Sequence, residues 1–213
     1  MSNDKKYDQV LQSVKLYAPS LFRKSCHPKF PVPDDKKTYN TKFLLDKELH
    51  AETIASITNI IKTICKENKI PFSPDRYKVF EDLAPSADAD DSKEPLRNYF
   101  KLSAKNYSKP KVTKSIVKYD ENTNEKKVVE VNVTEEEELI KNGSIVHGYV
   151  LFSAVPKNAP TGISCSLEHV KYSKAGEPIV ISRSAIDASD KFAGFECEEI
   201  QETEELDSDH IPF

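Results

Sequence analysis

Ser144–Val155 (SIVHGYVLFSAV) and the following segment Gly162–Tyr172 (GISCSLEHVKY) decide the fold class. The first is the longest apolar run of the chain. It is β-branched and aromatic and is bounded by Gly143 and Pro156, which predicts a central strand. In the second, Ile163, Cys165 and Leu167 share one phase of the alternation, and Val170 and Tyr172 share the other. A slip of phase near Glu168 predicts a β-bulge, and a bulge bends a short sheet far enough to close it into a barrel.

Upstream of this pair, Tyr99–Ala104, Lys111–Tyr119 and, after the turn-like 120–124, Lys127–Val133 read as strands, with Glu135–Glu138 opening a short helical turn. Val14–Phe22 (VKLYAPSLF) reads as the first strand, ahead of a loop holding Pro28, Pro31 and Pro33. Tyr39–Leu45 (YNTKFLL) reads as the second, with Thr41, Phe43 and Leu45 in alternation. Asp46 predicts an N-cap, because its carboxylate can take the free amide protons of the next turn. From Lys47 to Asn68, Leu49, Ile54, Ile57, Ile60, Ile61, Ile64 and Cys65 recur at three- and four-residue steps. That is a helix packed by one face and closed before Pro71. Residues 1–14 predict a frayed or loosely helical start. The stretch 71–98, with four prolines and the acidic run 88–91, predicts an irregular surface insertion, and Pro178–Ser182 a last weak strand. Short strands in sequence, one helix and a bulged pair predict a mainly β protein built on a small closed barrel; a flat two-layer α+β sheet is the structural alternative.

Composition excludes several functions. Of 213 residues 38% are hydrophobic and 31% charged, enough apolar mass for one domain but wet for this length, so part of the chain is expected outside the core. No apolar run approaches the roughly 20 residues that span a bilayer, and the N-terminus lacks the apolar stretch of a secretory signal. Four scattered cysteines without CxxC spacing read as reduced thiols, and a cytoplasmic location is expected. The five glycines all follow position 142, so no dinucleotide fingerprint can stand earlier. The pair Gly143 and Gly148 is followed by Tyr149 where a phosphate-binding lysine would be needed. His50-Ala51-Glu52 matches half of a zinc-deaminase signature but has no Pro-Cys-x-x-Cys to complete the metal site. No histidine pair has ligand spacing, the acids are gathered in runs, and no serine sits in a nucleophile elbow. The expectation is a protein that is not an enzyme and holds neither cofactor nor metal.

Binding residues are better represented. Lysines and aromatics interleave in several predicted strands: Tyr39, Lys42 and Phe43; Tyr99, Lys101, Lys105 and Tyr107; Lys109, Lys111 and Lys114; Lys171 and Tyr172. A single nucleic-acid strand needs both types, since cations follow phosphates and rings accept unstacked bases whatever their identity. Between Tyr99 and Tyr119 six lysines stand with one nearby acid, Asp120.

Charge is divided along the chain. Positions 196–213 hold eight of the 35 acids and no lysine or arginine, which leaves 27 acids against 31 basic residues over 1–195. The segment runs on into Asp207-Ser208-Asp209-His210-Ile211-Pro212-Phe213. Acids followed by apolar groups suit a partner with a basic rim and a small hydrophobic pocket, with Phe213 as anchor and Pro212 limiting the ordering cost.

Several blocks resemble the phage and prophage single-stranded-DNA-binding proteins: Val14-Lys15-Leu16-Tyr17 with Leu21-Phe22; Tyr39–Leu45 and its helix; Phe100–Lys105 with Lys109-Pro110; Gly143–Val150; and Gly162–Val170. The resemblance implies an OB-fold-like five-stranded barrel over 14–195 with an insertion at 71–98, an extension at 1–13, and a disordered acidic tail at 196–213. It implies single-stranded DNA as ligand, in phage-type replication, recombination and repair in the host cytoplasm, with a homodimer compatible. Separately, Asp207, Asp209, Ile211, Pro212 and Phe213 resemble the acidic tip of bacterial single-stranded-DNA-binding proteins, which implies recruitment of replication and recombination proteins and competition with DNA for the groove. An acidic-tailed interaction or chaperone-like module without DNA binding is the alternative from another class.

Overall fold

In the computed structural model the described residues are 7–26, 31–72, 78–88, 90–119, 126–155 and 162–179. Eight strands run in the order β1 (Tyr7–Ser25), β2 (Thr38–Asp46), β3 (Phe80–Asp82), β4 (Tyr99–Asn106), β5 (Lys111–Tyr119), β6 (Lys126–Asn132), β7 (Ile145–Ala154) and β8 (Ile163–Lys174). Helix α1 (Ala51–Glu67) follows β2, and the short α2 (Ala84–Asp88) follows β3. The sheet order is β3-β4-β2-β1-β7-β8-β5-β6, and a parallel β4–β8 pairing at Lys105↔Ser166 joins its middle strands into a ring. Strands β1, β2, β4, β8 and β7 therefore close a five-stranded barrel of OB type. β3 is added outside β4, and the β5–β6 pair is added outside β8. The protein is mainly β with one main helix, and the barrel rather than the flat sheet is the architecture.

Closure comes from bulges whose causes are local. Tyr149 pairs with His169 and Val150 with Leu167, so Glu168 is the extra residue of β8, at the predicted slip of phase. Its carboxylate is held by Ser166 Oγ at 2.7 Å, and Leu167 and Val170 on either side both turn into the core. β1 carries three more irregularities, the last between Ser20 and Ser25, and the first two have a visible cause. One lies between Leu11 and Val14, where Ser13 has φ +52°; the other lies between Tyr17 and Ser20, where Ala18 has φ +48° and Pro19 has no N–H to give a ladder. These bends let one 19-residue strand pair with β7 over its first half and β2 over its second.

The core gathers Leu11, Val14, Leu16, Phe43, Leu45, Leu102, Val146, Val150, Phe152, Leu167 and Val170 from the barrel with Ile57, Ile61 and Ile64 from α1. Asp46 is not the helix N-cap: its Oδ1 accepts the amide protons of Glu48 and Leu49 at 2.9 and 3.0 Å in a turn that precedes α1, and His50 stands at the N-cap without a side-chain capping bond. Leu49 departs from the expected face, because it lies in that turn before the helix and is 83% exposed. No described helix is long and apolar enough to cross a membrane.

Three further expectations are corrected. β1 begins at Tyr7, so residues 7–13 belong to the sheet and not to a frayed extension. Of the stretch 71–98, Phe80–Asp82 pairs with β4, and Leu83 and Leu96 bury a second small core with Leu44, against which Tyr17 and Tyr99 pack. It is a structured cover over one end of the outer β2–β4 face. Pro178 and Ile179 form no strand; Val180–Ser182 and the whole acidic segment 196–213 lie outside the described residues.

Candidate nucleic-acid interface

In an OB-type barrel the face of the second and third barrel strands is the usual platform for oligonucleotides. Here those strands are β2 and β4, with β1 alongside. Thr41, Phe43 and Leu45 of β2 point inward, so Asn40, Lys42 and Leu44 point outward; likewise Leu102 and Ala104 of β4 are buried and Lys101, Ser103 and Lys105 face out. Strand register turns these alternations into rows. Tyr17, Lys42 and Ser103 lie side by side, as do Ser20, Asn40 and Lys105, while Lys15, Leu44 and Lys101 form the row nearest the cover.

The ammonium of Lys42 lies 5.2 Å from the centre of the Tyr17 ring. Partial burial and, secondarily, the nearby Lys101 push its pKa below the ordinary lysine range, while Glu81 pulls the other way. Lys15 lies 5.9 Å from the Tyr99 ring. Lys105 is exposed and forms no ion pair among the described residues. At the end of the barrel where β2 starts and β4 ends, Tyr39 pairs with Asn106, Lys24 lies 5.9 Å from the Tyr39 ring, and Lys109 lies 5.9 Å from that of Phe22. Phe22, Lys109 and Pro110 line an open cavity of about 550 Å³ there, together with Glu135, which pairs with Arg23, and Glu136; the exposed Tyr107 stands in the adjoining loop. Cations and rings are thus adjacent over one continuous stretch of β1, β2 and β4, which is what phosphate pairing and base stacking on one strand require.

Other expected residues are placed elsewhere. Phe43 is wholly buried with its ring over Gly148, so it is a core residue and offers no stacking surface. Lys101 is tied to Glu81 of β3. Lys111 and Lys171 converge on one carboxylate, Glu130 of β6, at 2.9 and 3.4 Å, and Lys114 is tied to Glu137. Lys111, hydrogen-bonded to it, holds the Glu130 carboxyl below the usual range. His169 lies 2.8 Å from Thr113 Oγ1, and its pKa is lowered chiefly by burial. Tyr172 is half-buried between Val146 and Lys114. The expectation of unopposed lysines between Tyr99 and Tyr119 therefore fails for Lys101, Lys111 and Lys114, because strand pairing carries distant acids to them.

Residues that interleaving alone does not single out are Lys15, Tyr17, Phe22, Lys24, Asn40 and Ser103. The signal for two of them is in Lys15-Leu16-Tyr17, where a buried leucine between two polar-tipped residues fixes both on the outer face. Among the described residues no group of three or more histidine, cysteine, aspartate or glutamate side chains is arranged to hold a metal ion.

The chain is thus a closed five-stranded barrel of OB type, with lysines and aromatic rings side by side on one outer face. No family model and no curated protein matches the sequence. Among solved structures the chain is similar to the single-stranded DNA-binding protein from bacteriophage Enc34 in complex with ssDNA. The TM-score is 0.61 at 18% identity, covering 81% of this chain and 89% of that one. The same bacteriophage protein in another solved structure gives a TM-score of 0.60 at 18% identity, over 87% of this chain and 89% of the other. At that identity the likeness is one of fold.

Proposed function

We propose that this chain is a non-catalytic protein that binds single-stranded DNA, largely regardless of sequence, in phage-type DNA replication and recombination. The observation that carries the reading is the set of lysines that lie beside aromatic rings on the β1–β2–β4 side, without carboxylate partners among the described residues. Lys111, Lys114 and Lys171, on the β5–β8 side, are satisfied by carboxylates. Lys15, Lys24, Lys42, Lys105 and Lys109, on the β1–β2–β4 side, have no carboxylate within ion-pairing distance among the described residues, and four of them lie beside an aromatic ring. Unneutralised cations next to rings, on the face where OB-type barrels take oligonucleotides, suit a ligand that is both anionic and aromatic. The fold shared with a phage protein whose structure holds ssDNA supports the same ligand class.

The strand runs across Tyr17, Lys42, Asn40, Ser103 and Lys105 toward Tyr39 and Tyr107. Phosphates pair with the lysines, and bases stack on Tyr17 and the rings at the barrel end. The acidic segment 196–213 competes with DNA for this surface, and Asp207, Asp209, Ile211, Pro212 and Phe213 recruit partner enzymes. Titration of labelled oligo-dT, with duplex DNA of the same length as competitor, tests the reading at two salt concentrations. The expected result is tight binding to the single strand, with log affinity falling linearly as log salt rises. No complex at low salt, which the chaperone-like alternative expects, or an affinity that ignores salt, would overturn it.

A further inference from the structure

β6 is the last strand of the sheet, and among the described residues nothing pairs with its outer edge. Such an edge offers a row of N–H and C=O groups to another strand, and proteins that block this use a bulge, a proline, a very short strand or charged side chains. β6 has no bulge or proline, and its charges, Lys126, Lys127 and Glu130, include both signs. Its seven residues pair with β5 without interruption from Thr113↔Asn132 to Tyr119↔Lys126. Val117 and Val128 stand opposite one another on one face of the pair, 47% and 64% exposed, and Tyr119, 64% exposed, is beside them. Lys126 and Glu130 lie on that same face, two residues to either side of Val128.

This spacing is self-complementary. A two-fold axis perpendicular to an antiparallel pair sets one residue opposite its own copy and every other residue opposite its mirror position. Centred on Val128, it sets Lys126 of each copy against Glu130 of the other. It also lines up Val117 and Val128 of both copies in one apolar row across four strands. Centred on Lys127 or Glu130, it would oppose like charges, and centred on Val129 it leaves every charge unmatched. Glu130 already takes Lys111 at 2.9 Å and Lys171 at 3.4 Å, and its two oxygens have lone pairs left for another donor. We propose that this chain forms a two-fold dimer through antiparallel β6–β6 pairing centred on Val128. The dimer goes beyond the nucleic-acid reading and does not depend on it.

Sedimentation velocity of the full chain without DNA, over a concentration series, is the test. Lys126→Glu sets two acids face to face in the pair and Glu130→Lys sets two cations, so each variant alone is expected to dimerise about tenfold more weakly or worse. Mixed in equal amounts they restore both charge pairs, and the mixture is expected to return to wild-type association. Val128→Glu, on a side chain already largely in water, leaves the ion pairs of Glu130 intact and is also expected to weaken the dimer. Circular dichroism melts establish that each variant is folded; if Glu130→Lys is not, Lys126→Glu and Val128→Glu decide. A wild-type chain that stays monomeric throughout, variants that associate as the wild type does, or a mixture no stronger than its components would each overturn the proposal.

Discussion

Lys42 stands between Tyr17 and Ser103 with its ammonium partly withdrawn from water and Lys101 nearby, and both push its pKa down. A lysine whose folded pKa lies below its unfolded one opposes folding at neutral pH, where both states are protonated. That opposition fades as pH rises through the folded value toward the unfolded one. Lys42→Met is therefore expected to raise the Tm at pH 7, with the gain shrinking at alkaline pH. It should also weaken oligo-dT binding and reduce the slope of log affinity against log salt by about 0.7, the loss of one phosphate contact on a single strand. Lys105→Ala should give the same change in slope with no gain in stability, since its ammonium is already in water. Lys101→Met, which removes a cation already neutralised by Glu81, should leave the slope unchanged. If Lys101→Met lowered the slope as much as Lys105→Ala, the sorting of paired from unpaired lysines would lose its meaning. Tyr17→Ala is expected to cost about 1–3 kcal/mol of binding while Tyr17→Phe keeps most of it, because the ring and not the hydroxyl receives a base. Fluorescence titration of all five variants on one oligonucleotide separates these outcomes.

At the scale of the elements, β2 and β7 meet across the barrel where Phe43 covers Gly148. A Cβ on residue 148 would come within 3.0 Å of Phe43 Cε1 and Cζ and 3.2 Å of Leu11 Cδ1, both in fully buried side chains. Gly148→Ala is expected to lower stability by about 1–3 kcal/mol through overpacking, and Phe43→Ala by about 3–5 kcal/mol through the cavity it leaves. Urea unfolding measures both, and the fraction that remains folded should bind oligo-dT with unchanged affinity. A Phe43→Ala protein that stayed folded but lost DNA would return Phe43 to the interface. The sequence shows Phe43 in phase with Thr41 and Leu45, and that phase already argues for the core; its neighbours Tyr39 and Lys42 suggest binding only when phase is set aside. The bulge at Glu168 is legible because Leu167 and Val170 are both strongly apolar and three apart, so the slip is written in hydrophobicity. The start of β1 is not, because Leu11 and Val14 are also three apart, and nothing in Gln12-Ser13 shows that Ser13 takes a positive φ rather than belonging to a helical turn. Cover residues Leu83 and Leu96 are hidden by the prolines and acids around them. The pairing of Lys111 and Lys171 with Glu130 depends on strand order, which no local spacing encodes.

For the molecule as a whole, the net charge of −4 combines positions 1–195, with 31 basic and 27 acidic residues, and the acidic stretch 196–213 with eight acids and no base. In the proposed reading the eight carboxylates are a tethered polyanion that competes with DNA for the lysine-bearing face. Tethering gives such a competitor an effective concentration that free acids in solution never reach. If 196–213 competes with DNA, its removal changes affinity in a manner that depends on salt. At low ionic strength the truncated chain should bind oligo-dT more tightly than the intact one. The advantage should shrink as added salt shortens the Debye length from about 30 Å at 0.01 M to about 8 Å at 0.15 M, screening the segment before it abolishes phosphate contacts. Partner capture should behave oppositely: Phe213→Ala should abolish it and leave DNA affinity at the intact value, since that change removes a ring and no charge. Titrating the intact chain, the truncation and Phe213→Ala against one oligonucleotide over a salt series tests both parts at once. A truncation that binds more weakly at low salt would mean that the acids do not oppose DNA at all. An advantage that persists undiminished at high salt would mean that truncation acts through something other than charge.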